Sequence, residues 1–250
     1  MPAAERGWII TPEEFSSWIV EDNESFAVLN KPALVVCHPS KSGPWSSLIG
    51  AAREYFGVPT IHVPFRLDRE TSGVWVAAKN REYGAVLQKA VQQRLMRKTY
   101  LAILTGEMKD SVIVDQPIGH AEGAVVHVRR EVRADGQPAW TKFEPLDVAG
   151  GYTLARVTPA TGRTHQIRVH AQWLGRALAG DKIYGPDETL FLDFIEHGYS
   201  GRVAELLPLP RHALHCESVE FALENGALRF SAPLASDLRE FWSNLCSLPL

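Results

Sequence analysis

Between Lys98 and Pro159 the chain lays down "KTYLAILTG", "SVIVD", "AVVHVRREV", "AWTKFEPLDV" and "YTLARVTP" in succession, with no helical segment among them. Each is short, rich in β-branched and aromatic residues, and bounded by turn formers. Consecutive strands pair most simply as antiparallel neighbours, because a parallel pair needs a long crossover between its members. This run therefore excludes a helical bundle and a strictly alternating parallel fold. It predicts the α+β class, built on a large antiparallel or mixed sheet.

The flanking segments fit that class. "TPEEFSSWIV" reads as a short helix with Thr11 as N-cap and Pro12 in its first turn. "SFAVLNKP" reads as a strand stopped by Pro32, "SSLIGAAREYF" as a helix ending at Gly57, and "IHVPF" and "GVWVAAK" as strands. Asn80 is placed to cap a helix through "REYGAVLQKAVQQRL". "GRTHQIRVHAQWLG" reads as a helix stopped at Gly175, with Ile167, Trp173 and Leu174 toward the core. "ALHCESVEF" and "ALRFSAP" read as a hairpin turning at Asn225-Gly226, and Ser236 opens a last helix through "DLREFWSNL". No repeat or flexible linker divides the 250 residues, so a single domain over 1–250 is expected.

Composition narrows the function. No apolar run approaches the ~18 residues of a membrane span, and the N-terminus carries no secretory h-region. Cys37, Cys216 and Cys246 form no CxxC pair, which fits reduced thiols in a cytoplasmic protein. The net charge is −3 but unevenly spread. From Arg53 to Tyr100 nine basic residues (53, 66, 69, 79, 81, 89, 94, 97, 98) face four acids (54, 68, 70, 82). From Pro186 to Glu205 five acids (187, 188, 193, 196, 205) face Arg202 alone. Screening confines each field to ~10 Å, so a basic face beside an acidic appendage still attracts phosphate.

Three constellations carry chemistry. In "PFRLDRETSG", Asp68 lies between Arg66 and Arg69, just ahead of an apolar strand. The flanking cations favour its ionised form, and residues 66 and 68 share a side if the segment is extended. An arbitrary acid between two arginines is as readily a surface ion pair worth ~0–1 kcal/mol. In "TGRTHQIRVHAQWLG", His165, Arg168 and Gln172 share a helix face, and the Gly-Arg-Thr start is a candidate anion site. The same spacing suits an amphipathic helix with a polar outer face. His165 and His170 are five apart, which disfavours a helical zinc site. In "RLMRKTYLAIL", Arg97 and Lys98 precede Tyr100, an aromatic able to stack on a base or to pack in a sheet. Phosphate-loop, dinucleotide, HExxH and GxSxG motifs are missing, so no metal or cofactor is expected.

Together these segments resemble the RluA-type RNA pseudouridine synthases. "FRLDRETSG" looks like that family's catalytic motif, "RKTYLAILTGE" its tyrosine-bearing strand and "GRTHQIRVHAQWLGRALAGDKIYG" its arginine-bearing segment. "VLNKPALVVCHP" and "RHALHCESVEF" fit its opening and closing segments. The resemblance implies the pseudouridine synthase fold, a mixed sheet of two packed halves with flanking helices and a central catalytic cleft. It implies Asp68 as the catalytic carboxylate, Tyr100 against the flipped uracil, and Arg168 paired with Asp68. Arg66 would help displace the base. Arg69, Lys98, Arg163, His165, Gln166 and Leu214 complete the expected substrate-binding set. The partner implied is RNA, ribosomal or transfer, with no membrane and a monomer as the default. Two departures stand out. Phe65 occupies a position that is commonly His, and residues 1–27 are too few for a preceding S4-type RNA-binding domain, so they are expected to be a short extension. The competing expectations are a catalytically silent RNA-binding module of the same fold and a glycoside-type hydrolase, which would want a second acid such as Glu70.

Overall fold

The computed structural model describes residues 8–38, 43–224 and 226–247. The elements begin with α1 (Pro12–Ser17), β1 (Ile19–Asp22), β2 (Phe26–Lys31), α2 (Leu48–Phe56), β3 (Ser72–Ala78) and α3 (Arg81–Gln92). The strand-rich stretch follows as β4 (Met96–Thr105), β5 (Val112–Asp115), β6 (Ile118–His120), β7 (Arg130–Val132), β8 (Trp140–Ala149) and β9 (Tyr152–Pro159). Then come α4 (Gln166–Trp173), α5 (Leu190–His197), α6 (Gly201–Leu206), β10 (Leu214–Leu223), β11 (Gly226–Ser231) and α7 (Ser236–Cys246). The chain is α+β, as its pattern of strand runs predicts. No helix of the described residues is long and apolar enough to cross a membrane.

The elements fall into two compact units, one built on Glu5–Lys98 and Cys216–Ala235, the other on Thr99–His215 and Ser236–Leu250. In the first, the strand order is β1-β2-β3-β10-β11. β2 pairs antiparallel with β3 from Phe26–Ala78 to Lys31–Gly73. Every residue of β3 is buried, which is why "SGVWVAA" shows no polar alternation. Local chemistry sets the helix ends. The Thr11 hydroxyl accepts the Glu14 amide and the Glu14 carboxylate accepts the Thr11 amide, a capping box. Asn80 Oδ1 accepts the Tyr83 amide at 2.8 Å. Gly57 closes α2 in the left-handed region at φ 63°.

In the second unit β4 pairs with β9, β9 with β8 and β8 with β5, all antiparallel. β6 and β7 form a small separate hairpin. α7 is tied down by Arg211, whose Nε and Nη2 donate to the two Asp237 oxygens at 2.7 and 2.9 Å.

Several expectations are corrected. "IHVPF" is not a strand: only His62 bridges to Ala78, because Pro64 brings no N–H to a ladder. Within "AVVHVRREV" only Arg130–Val132 is strand. Trp173, expected in the core, is 58% exposed. "TPEEFSSWIV" is helical only over Pro12–Ser17, and its last residues, from Ile19, open strand β1; β6, α5 and α6 carry no expectation from the sequence. Asn225 of the expected hairpin turn lies outside the described residues; Gly226 follows it at φ 121°.

Candidate active site

In the first unit the Asp68 segment alternates. Phe65 and Leu67 are buried, Arg66 and Arg69 exposed, and Asp68 half-buried. That is the pattern of an extended chain anchored through every second side chain. Its backbone is held from below. The buried Lys31 ammonium donates to the carbonyls of Pro32 (2.9 Å), Arg69 (3.1 Å) and Thr71 (2.8 Å). Three acceptors match its three N–H donors, which makes a fully buried lysine tolerable. The Cys37 thiol donates to the Leu67 carbonyl at 3.4 Å, and the Thr71 amide donates to the Asp68 carbonyl at 3.1 Å. Arg69 Nε donates to the Leu34 carbonyl at 3.3 Å. The turn into β3 requires Gly73: its φ is 110°, and a Cβ there would lie 2.2 Å from the Cys216 carbonyl oxygen. Carbonyls 67, 68, 69 and 71 are thus all spoken for, and the carboxylate of Asp68 rides on a pinned backbone.

The Lys98 ammonium interacts with the charge of that carboxylate. Lys98 lies with its ammonium 5.3 Å from the centre of the Phe65 ring. Burial lowers the Lys98 pKa, against the opposing pull of Cys216 and of the Asp68 charge. The position where Phe65 replaces a common His is therefore an aromatic platform for a lysine. Burial pushes the Cys37 thiol up, despite Lys31 beside it, so Cys37 is a poor nucleophile.

In the second unit Tyr100 is buried on β4, where it pairs with Val157. Arg168 is buried on α4 and donates through Nε and Nη2 to the two oxygens of Asp181, at 2.7 and 2.8 Å. Asp181 also accepts the amides of Ile183 and Tyr184 at 3.0 Å each. Burial pushes its carboxyl up, but the Arg168 charge and hydrogen bonds override this and hold it well below the usual range. The Arg168 guanidinium also faces the Tyr184 ring at 4.9 Å. Asp181 and Tyr184, which hold Arg168, are not singled out by the sequence; the signal available there is the "GDKIYG" turn, whose side chains return to α4.

The other expected residues divide by surroundings. Arg163 is exposed and donates from Nε to the Pro138 carbonyl. His165 is half-buried and sits 2.8 Å from the Tyr184 hydroxyl through Nδ1. Leu214 is buried at the start of β10, and its carbonyl accepts from Arg211 at 3.3 Å. Gln166, expected to bind substrate, is buried with both ends engaged inside the unit. Its amide group donates to Trp140 O and Thr141 Oγ1, and its carbonyl accepts from Thr161 Oγ1 and the Arg163 amide. This closes the turn ahead of α4, which begins at Gln166 rather than at the Gly-Arg-Thr segment. The Arg163 amide, expected to face an anion, is given to Gln166 instead.

A family model described as RNA pseudouridylate synthase matches residues 25–173. The chain is 32% identical over 241 residues to ribosomal large subunit pseudouridine synthase D of Nitrosomonas europaea, covering 92% of this chain and 66% of that protein. It is 34% identical over 227 residues to an uncharacterised RNA pseudouridine synthase of Bacillus subtilis, covering 88% of this chain and 73% of that one. Among solved structures, the human RNA pseudouridylate synthase domain containing 4 aligns with a TM-score of 0.71 at 22% identity, over 96% of this chain and 97% of that one. The fold is accordingly that of the pseudouridine synthases, and the chain belongs to the RNA pseudouridylate synthase family.

Proposed function

We propose that this chain isomerises uridine to pseudouridine in ribosomal RNA, with Asp68, Tyr100 and Arg168 as its catalytic residues. The choice of ribosomal RNA rests on relatives such as the Nitrosomonas europaea protein, whose name specifies the ribosomal large subunit. The observation that carries the reading is the Asp68 segment itself: a carboxylate on a backbone fixed by Lys31 and Cys37, among Arg66, Arg69 and Lys98.

The reaction breaks the C1′–N1 bond and makes a C1′–C5 bond. The hydrogen on C5 leaves as a proton and N1 gains one, so the nucleotide keeps its composition and needs neither an oxidant nor a group donor. Positive character develops on the sugar as the glycosidic bond breaks. The Asp68 carboxylate opposes that charge, and a preorganised charge does so without reorganisation at the moment of reaction. Taking the uridine out of its stack costs a few kcal/mol. Stacking on Tyr100 supplies ~1–3 kcal/mol per base, and Arg66, Arg69 and Arg163 add phosphate contacts. Lys98, His165 and Leu214 complete the binding set, while Gln166 acts through the turn it closes.

The test is tritium release from RNA carrying [5-³H]uridine. Ribosomal RNA from cells lacking the protein is expected to release tritium, and Asp68→Asn to reduce release to background while leaving the fold intact. Undiminished release by Asp68→Asn removes that residue from the chemistry. RNA binding without turnover on any RNA fraction turns the reading into that of a silent binding module.

A further inference from the structure

The acidic stretch from Pro186 to Glu205 divides its charges. Arg202 engages Asp187 and Asp193, the latter at 2.7 Å. Glu188 reaches instead the loop between β6 and β7. There its Oε1 accepts the Val125 amide at 3.4 Å, and its Oε2 lies 3.7 Å from Arg129 Nη1, beyond hydrogen-bond range. Arg129 Nη2 donates to Gln172 Oε1 of α4, also at 3.4 Å. Arg129 Nε and Glu188 Oε2 are buried with no hydrogen-bond partner among the described residues.

This pair is an exception in its unit. Arg133, Arg168, Arg202 and Arg211 each meet a carboxylate at 2.7–2.8 Å. A guanidinium carries five N–H donors, and Arg129 uses one of them, in a long bond. Taking two opposite charges out of water is costly, and only close, well-saturated contact offsets the cost. A buried polar atom left without a partner calls for a physical reason. With side chains 23% and 20% exposed, the pair is still within reach of a ligand arriving from solvent.

The position of the loop indicates the ligand. Val126 is buried in one cluster with Val169 of α4, Ile183 and Tyr184, and the Arg130 amide donates to the Tyr184 hydroxyl at 2.9 Å. Tyr184 in turn faces the Arg168 guanidinium. The Arg129 loop is therefore packed on the elements that carry Arg168, a residue proposed above to act on RNA. A phosphate offers several oxygens to the planar donor set of an arginine, which favours close, bidentate contact.

We infer that Arg129 is an RNA phosphate contact and that Glu188 is its built-in competitor: the carboxylate holds the guanidinium loosely, and a phosphate of the bound RNA displaces it. Glu188 thereby weakens the binding of every RNA by the same competition, and an RNA that places no phosphate at Arg129 has nothing to offset it. This inference rests on RNA as the substrate, as proposed above.

The test is filter binding of ³²P-labelled ribosomal RNA from cells lacking the protein, over a range of salt. It compares Arg129→Gln, Glu188→Gln and the double variant, each checked for folding by urea denaturation. Arg129→Gln is expected to weaken binding about tenfold at low salt and to reduce the slope of log Kd against log salt by about 0.7–0.9, the loss of one phosphate contact. Arg129→Lys, which keeps the charge, is expected to restore the slope. Glu188→Gln is expected to tighten binding about threefold, the scale of a partly exposed ion pair. Once Arg129 is Gln it is expected to do nothing, because a competitor acts only through the residue it competes for. An unchanged slope in Arg129→Gln, or no restoration by Arg129→Lys, overturns the phosphate contact. Weaker binding by Glu188→Gln marks Glu188 as a brace for the loop, and equal tightening in both backgrounds marks a general repulsion; either overturns the competition. Where Arg129→Gln does not fold, the sign of the Glu188→Gln effect still decides. An unsubstituted protein that binds the RNA but releases no tritium refutes the proposed function and leaves these comparisons standing. Turnover together with an unchanged slope refutes the inference alone.

Discussion

Arg168 and Asp181 meet through two parallel hydrogen bonds with side chains 6% and 0% exposed. Such a pair fixes the guanidinium plane, and breaking one half leaves the other charge buried without compensation. Asp181→Ala is expected to lower stability by about 3–5 kcal/mol, read from urea denaturation. The Asp181 pKa is depressed in the folded state. Its contribution is therefore present above the unfolded value of about 3.9 and is lost as pH falls toward the lower folded value. Asp181→Asn is accordingly expected to flatten the stability curve below about pH 4.5 and leave its shape at pH 6–8 unchanged. An unchanged acid limb would assign that sensitivity to other carboxylates.

Lys31 supports the Asp68 segment through its backbone: the acceptors of its ammonium include the carbonyls of Arg69 and Thr71. Lys31→Met keeps the chain length but leaves those buried oxygens short of a donor. A loss of about 3 kcal/mol or more is expected, since each charge-assisted bond contributes ~1.5–3 kcal/mol. Tritium release is expected to fall as well, through kcat. A stable Lys31→Met variant with full turnover would show that the segment holds its shape without the lysine.

These two relationships mark what the sequence makes legible. Thr11, Asn80 and Gly57 announce helix ends because capping acts over three or four residues, and β2, β3, β4, β8 and β9 follow from apolar runs between turn formers. Asp68, Tyr100 and Arg168 stand out as residue types in a recognisable order. The supports do not. Lys31 reaches carbonyls 38 and 40 residues away, and Asp181 reaches back 13 residues from a turn. Neither spacing has a local signature. Trp173 was misjudged because α4 buries polar residues: Gln166, Arg168 and His170 are all inside, so apolarity does not mark the inner face of that helix.

Lys98 lies within electrostatic range of Asp68. Arg66 and Arg69 flank Asp68 in the sequence, Lys31 holds the backbone beneath it, and Lys98 on β4 interacts with its charge. Removing one raises the carboxyl pKa. With the carboxylate as the active form, Lys98→Met is expected to move the acidic limb of kcat/KM against pH upward by up to about one unit, and Lys98→Arg to leave it in place. A lower kcat/KM with an unmoved limb would show that Lys98 acts on RNA alone.

His170 tests the helix that carries Arg168. Its Nε2 lies 3.0 Å from the Gln116 carbonyl, which only accepts, so Nε2 carries the proton. Nδ1 then accepts from Thr141 Oγ1 at 2.9 Å, and that oxygen receives the Gln166 amide at 2.9 Å. A second proton on Nδ1 would oppose the Thr141 hydroxyl proton. Burial lowers the His170 pKa, outweighing the pull of Gln116 and Asp115 toward the charged form. Between the lowered folded value and the unfolded value of about 6.5, the unfolded chain binds more protons, so stability falls as pH drops through this range. The slope from one such group is at most about 1.4 kcal/mol per pH unit. His170→Gln keeps a donor for Gln116 but cannot titrate. It is expected to be less stable at pH 7.5 yet to lose less on acidification to pH 5, read from urea midpoints across that range. Parallel curves for the two proteins would place the acid sensitivity on other histidines.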